Sequence, residues 1–320
     1  MQTPTTPYEH KNVTHLYITD PATSTVSQIV VLIIMGFGIM ILLENFLVLV
    51  AAVRNKKLRD NIHYNLVLFL SVSDFLLGIN ILLYAISYID KNISKETKNR
   101  VCIINICLWC STIQMSLLQT FFISLNRYLI ISERKLNKML WNGNRKYVVY
   151  IVSWVGIIVI ITSLLSPTKE RCHLTSLYGA NFHIFQPLYF SINSIFLCMT
   201  IIFYILALKC VLQKYRKISP SASVTIQNIS SNNGQDQMYQ LKRRRIIKSM
   251  KLVSTVIGTL FFLSGPMAFL GTIASFSQIG SLLLSFGVTI NAVVNPVIYC
   301  TQIEELKNEI KALFQMTDRR

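Results

Sequence analysis

Two short segments carry the side chains best placed to do chemistry. Asn295-Pro296-Val297-Ile298-Tyr299 sits near the end of a long apolar stretch. A proline there removes a backbone donor and kinks a helix. The asparagine before it places an amide in apolar surroundings, where it must find a hydrogen-bonding partner or bind something. Asn126-Arg127-Tyr128 closes another such stretch. An arginine in that place can snorkel to water, bond backbone carbonyls, or meet a partner protein inserted between helices. This chemistry is binding and switching, not bond breaking. The sequence holds no catalytic triad, metal-ligand cluster or phosphate-cradling loop, so no enzymatic activity is expected.

The elements that position these segments are long and apolar. The chain has 320 residues, 52% of them hydrophobic and only 14% charged, where a soluble domain carries roughly a quarter charged. A membrane-spanning helix needs ~20 mostly apolar residues. Stretches of that length fall near 28–53, 63–89, 101–133, 147–166, 184–212, 245–275 and 279–302. They do not alternate in polarity, which excludes a transmembrane β-barrel. The expected fold is an all-α membrane protein, a seven-transmembrane helix bundle over 28–302. Residues 1–27 form an extracellular tail and 213–243 a largely disordered cytoplasmic third loop, rich in Ser, Asn and Gln from Ser219 to Gln240. Over 303–320, Leu306, Ile310, Leu313 and Phe314 recur at helical spacing between charges, predicting a short amphipathic helix on the inner membrane surface.

Charge sets the orientation. Of the 31 Lys and Arg, only Lys11, Lys91, Lys95, Lys98, Arg100, Lys169 and Arg171 fall outside when the N-terminus is extracellular. This positive-inside bias accounts for the net charge of +17 by topology and anionic inner-leaflet lipid, and nucleic acid is not an expected partner. Residues 1–27 lack an apolar signal-peptide core, so the first span is expected to direct its own insertion. Asn12 and Asn92 begin glycosylation sequons on the outer side. Of the seven cysteines, Cys102 opens the third span and Cys172 lies in the loop between the fourth and fifth, both on the oxidising face, so a disulfide between them is expected. From Cys102 to Arg127 a helix rises about 37 Å, which pins one end outside and brings Arg127 to the cytoplasmic mouth.

Further residues fall into the same frame, each on its own span and in order: Asn45, Leu70-Ser71-Val72-Ser73-Asp74, Asn126-Arg127-Tyr128, Trp154, Tyr204, Pro266 and Asn295 to Tyr299. Together they resemble the motif set of the class A, rhodopsin-like G protein-coupled receptors, over nearly the whole chain. The resemblance implies a sodium site at Asp74, Ser116, Asn291 and Asn295, with Asn45 hydrogen-bonded nearby and no other cofactor. A carboxylate in lipid does need a cation, a proton or donors; a protonated Asp74 in an Asn/Ser network is the alternative. The resemblance also implies that Asn126, Arg127, Tyr128, Tyr204, Pro266, Pro296 and Tyr299 form the activation switch and G protein-coupling surface. A plasma-membrane location follows, with a heterotrimeric G protein, arrestin and receptor kinases as partners.

The departures from that pattern shape the functional expectations. Asn126 and Ile246 stand where many relatives carry acids that restrain the arginine, so signalling without ligand is expected. Leu263-Ser264-Gly265-Pro266 lacks the sixth-span tryptophan, and Gly265 beside Pro266 predicts a soft hinge. Glu44 is an acid within the first span, protonated or paired. Trp109 occupies the place of the amine-binding Asp of monoamine receptors. With Ile113, Gln114, Tyr189, Met267, Ser285 and Thr289 it gives an uncharged pocket suited to a neutral small molecule, a lipid or a peptide; Trp109 packing between helices is the alternative. A non-signalling decoy or scaffold remains a second reading because the switch residues are eroded. A transporter or channel would carry more intramembrane charge and often a repeat.

The assigned topology places a third sequon, Asn228-Ile229-Ser230, in the cytosol. Glycopeptide mass spectrometry of the surface protein should find glycan at Asn12 or Asn92 and none at Asn228. Glycan on Asn228 reverses the topology.

Overall fold

The computed structural model describes residues 25–89, 94–133, 136–141, 143–163, 182–216, 250–251, 254–259, 262 and 278–317. Among them the regular structure is helical: α1 (Thr25–Arg54), α2 (Lys56–Asp60), α3 (Ile62–Ile89), α4 (Lys95–Ile131), α5 (Leu136–Trp141), α6 (Arg145–Ser163), α7 (Phe182–Arg216), α8 (Gln278–Gln302) and α9 (Glu304–Thr317). Five of these, α1, α3, α4, α6 and α7, contain stretches long and apolar enough to cross a membrane. α8 covers the seventh predicted span. Of the sixth, 250–251 and 254–259 are helical, and Ile246, Leu263, Ser264, Gly265, Pro266 and Met267 lie outside the described residues. So do Asn12, Asn92, Cys172 and Asn228, along with most of the predicted tail and third loop.

Local sequence explains where the helices begin and end. Asn55 breaks α1 from α2, and its side chain caps α2 by accepting the Lys57 N–H at 3.0 Å. α4 starts well before the apolar stretch that predicts it. Ser94 caps it by accepting the Thr97 N–H at 3.2 Å, and Glu96 pairs with Arg100 at 2.7 Å one turn on, so a polar first turn becomes helical. At the other end, Glu133 takes a left-handed φ of 57° and turns the chain towards α5. Gly143, at φ 55°, turns it again into α6. α7 extends to Arg216, beyond the predicted start of the third loop.

The packing is inverted relative to a water-soluble domain. Val148, Ile151, Val152, Val155 and Val159 of α6 point outward, as do Leu32, Ile33, Leu43 and Phe46 of α1. Asn45, Asp74, Asn80, Gln114, Gln119, Asn291 and Asn295 are buried within the bundle. Polar groups inside and apolar groups outside suit hydrocarbon as the solvent. The largest apolar cluster lies at the basic end. There Val48, Leu58, Leu66, Leu70, Ile123, Trp141, Val256, Ile298, Tyr299, Ile303 and Leu306 draw most of the helices together. α9 is part of this cluster: Leu306 is buried, Ile310 and Leu313 pack against it, and only Phe314 of the predicted apolar face is fully open. The helix therefore docks on the bundle with one edge left for the membrane.

α1 and α3 approach closely because both carry glycine at the crossing. A Cβ on Gly78 would meet the Leu42 nitrogen at 3.0 Å and the Gly38 carbonyl oxygen at 3.2 Å, which are backbone atoms that cannot step aside. A Cβ on Gly36 would meet open space. Gly78→Val should cost roughly 1–3 kcal/mol by overpacking, seen as a lower melting temperature of the purified protein, while Gly36→Ala should melt with the wild type. Equal melting of Gly78→Val and wild type would mean the helices are not in this contact.

Candidate functional site

The polar centre of the bundle is built on α3 and α8. Asn295, beside Pro296 within α8, donates from Nδ2 to Asp74 Oδ2 at 2.9 Å. Asp74 is 2% exposed and Asn295 is fully enclosed. The neighbouring hydroxyls of Ser71 and Ser73 donate to carbonyls of their own helix, those of Val67 and Phe69, so they leave the carboxylate to Asn295. Asn45 likewise donates to the Ile41 carbonyl at 2.9 Å. The side-chain oxygens of Asn45, Asn291 and Asn295 are buried and receive no hydrogen bond among the described residues. Asn291 lies one turn before Asn295, and Ser116 is buried on α4. The centre is thus a carboxylate with surplus amide oxygens around α1, α3 and α8. Such an oxygen set fits a hard cation.

The basic end holds the second constellation. Asn126 and Arg127 are buried, the arginine 5% exposed, so the side chain does not snorkel to solvent. Ile123, one turn before it on α4, belongs to the apolar cluster against which Tyr64 packs. The Tyr64 hydroxyl donates to Glu305 Oε2 of α9 at 3.1 Å. Tyr128 meets the Phe203 ring at 5.6 Å, and Phe121 gathers Phe196 and Phe203 from α7 around it. The Tyr204 hydroxyl forms a short hydrogen bond with Ser254 of the sixth span, and Gln302 Nε2 donates to Thr255 Oγ1 there at 2.9 Å. Tyr299 is fully buried, with no hydrogen bond to its hydroxyl among the described residues.

Towards the opposite end, Gln114 Nε2 donates to the Tyr189 carbonyl at 3.4 Å, linking α4 to α7, and Ile113 is buried beside it. Trp109 packs with Ile34 and Val293 against Ile41, Leu77, Ile81 and Ala292, between α1, α3 and α8. Thr289 is half-buried on α8, which also carries Ser285. Cys102 is disulfide-bonded. Cys107, Cys110, Cys198, Cys210 and Cys300 are free thiols.

A family model described as 7 transmembrane receptor (rhodopsin family) matches residues 44–299, four fifths of the 320-residue chain. The chain belongs to the rhodopsin family of seven-transmembrane receptors. Comparison with curated proteins finds no match. The match begins beside Asn45 and ends on Tyr299, so the polar centre and the Asn126-Arg127-Tyr128 segment of this receptor both lie within it, while α9 lies beyond it. The protein is therefore a multi-pass membrane receptor of the G protein-coupled class, and chains of this family are receptors, not enzymes.

Several residues that organise the receptor were not among those singled out from sequence. Ser254 and Thr255 tie the sixth span to α7 and α8. Glu309 of α9 binds Arg54 Nε at 3.4 Å and Asn55 Nδ2 at 3.3 Å. Lys146, buried on α6, donates to the Arg59 carbonyl at 3.2 Å. Glu305 and Glu309 did carry a readable signal, acids one turn apart beside the apolar positions of α9.

Proposed function

We propose that the receptor sits in the plasma membrane with its N-terminus outside and passes an extracellular signal to a heterotrimeric G protein. The observation that carries this reading is how the sixth span is held at the basic end. Among the described residues, two side-chain hydrogen bonds, Tyr204 with Ser254 and Gln302 with Thr255, join it to α7 and α8 at the end of the bundle that also buries Arg127. Each is worth on the order of 1 kcal/mol net, so the span can part from its neighbours at modest cost and open a cleft beside the arginine. A ligand that prefers the open arrangement shifts the population towards it. Arrestin and receptor kinases would meet the same open face.

The ligand in this reading is a neutral small molecule, a lipid or a peptide, and not a monoamine. Support comes from Trp109, Ile113, Gln114, Tyr189, Ser285 and Thr289, none of which carries the carboxylate that a cationic amine would pair with. A screen of neutral metabolites, lipids and peptides, read by G protein subunit dissociation in cells, should find an agonist among these classes. Silence with every G protein class, at normal surface expression, would instead favour a decoy or scaffold.

Sodium at Asp74, with Ser116, Asn291 and Asn295, is part of the same proposal. The unclaimed amide oxygens of Asn291 and Asn295 support it. The ion would neutralise the carboxylate and favour the closed bundle. Exchange of choline chloride for sodium chloride at constant ionic strength should raise the melting temperature, by ~1.4 kcal/mol of stability at ten times the dissociation constant. Asp74→Asn should lose that dependence. A sodium response that survives this substitution removes the site.

A further inference from the structure

Lys146 lies in the first turn of α6 and is only 9% exposed. Its Nζ donates to the Arg59 carbonyl at 3.2 Å and stands 5.0 Å from the centre of the Tyr147 ring. The same carbonyl also accepts from Asn65 Nδ2, so the lysine shares its acceptor. Among the described residues no carboxylate pairs with the ammonium. An ammonium carries three donors and, once enclosed, needs a counter-charge. A shared carbonyl and a ring face answer part of that need and leave the rest to an anion from outside the chain.

The surroundings select the anion. The bond to Arg59 holds the end of α2 against the foot of α6. Lys56, Lys57 and Arg59 of α2 are exposed, and so is Arg145 beside Lys146. Asp60, also exposed, is the one acid of α2. Arg54 is not counted with them, because Glu309 binds it at 3.4 Å. Directly after Lys146, Val148, Ile151 and Val152 turn outward, a flank suited to hydrocarbon. Cations at the end of such a flank stand at the level of lipid phosphate.

We propose that Lys146, with Arg145 and with Lys57 and Arg59 of α2, binds the phosphorylated headgroup of an anionic lipid whose acyl chains lie along the outward flank of α6. A phosphate monoester brings about −1.5 to −2 of charge and three acceptor oxygens, so one headgroup serves the enclosed lysine and the exposed cations together. The site needs a bilayer but no ligand or G protein, and it stands apart from the function proposed above.

The test places the full receptor in phosphatidylcholine nanodiscs doped with phosphatidylinositol bisphosphate, or with phosphatidylserine at equal total charge. Lipid that stays bound after transfer to detergent is measured by native mass spectrometry. The native chain should retain the bisphosphate lipid over both others. Arg59→Gln and Lys57→Gln should each lower its retention about fivefold, the effect of one cation near a membrane surface. Both keep the Arg59 backbone carbonyl, so the Lys146 anchor stays in place. Lys146→Met should lower retention at least as far; if it does not fold, the two α2 variants decide. Lys307→Gln removes an exposed charge from α9, outside the patch, and should retain lipid as the native chain does. Native retention in Arg59→Gln and Lys57→Gln overturns the proposal, and so does an equal loss in Lys307→Gln, which would mean diffuse attraction alone. Equal retention of phosphatidylserine overturns the preference for phosphate monoesters. Displacement of the lipid by an equimolar amount of soluble inositol trisphosphate overturns the assignment to lipid.

Discussion

Asp74 and Asn295 meet at 2.9 Å in the middle of a molecule whose outer surface is apolar, and the rest of the bundle is arranged around that contact. In hydrocarbon a backbone must bond within its own helix, and a polar side chain must turn inward. The close crossing at Gly38 and Gly78 lets α1 and α3 come together beside the polar centre. The serines of α3 bond back to their own helix, which leaves the carboxylate to a partner from α8. Charge at the centre and apolar side chains outside are thus two expressions of one requirement.

The basic end answers the same requirement differently. There Arg127 is buried near an apolar cluster that Ile303 and, from α9, Leu306 help to close. Among the described residues, two side-chain hydrogen bonds join the sixth span to its neighbours, whereas α1 and α3 meet in a close crossing at Gly38 and Gly78.

How much of this was legible in the sequence depended on the physics behind each feature. Long apolar runs announced α1, α3, α4, α6, α7 and α8 directly, because a span needs length and little else. The first turn of α4 was missed because Lys95 to Arg100 is polar, and only the Ser94 cap and the Glu96–Arg100 pair make it helical. α2 and α5 were missed because five and six residues are too few to show a period. Asp74 and Asn295 could be read as partners by type, since each demands one. The Tyr64–Glu305 contact could not, because 241 residues separate the two and a tyrosine at a span end makes no such demand. For Trp109, residue type left pocket and packing level, and the fold places it against Ile41, Leu77 and Ala292.

Over Arg145–Ser163, α6 turns most of its flank outward, so lipid rather than protein is its main neighbour there. Lys146 at its foot is buried and donates to the Arg59 carbonyl at 3.2 Å. A helix with so little protein around it takes its bearing from that foot, and a tilt imposed by the surrounding lipid pulls first on the chain where α2 gives way to α3.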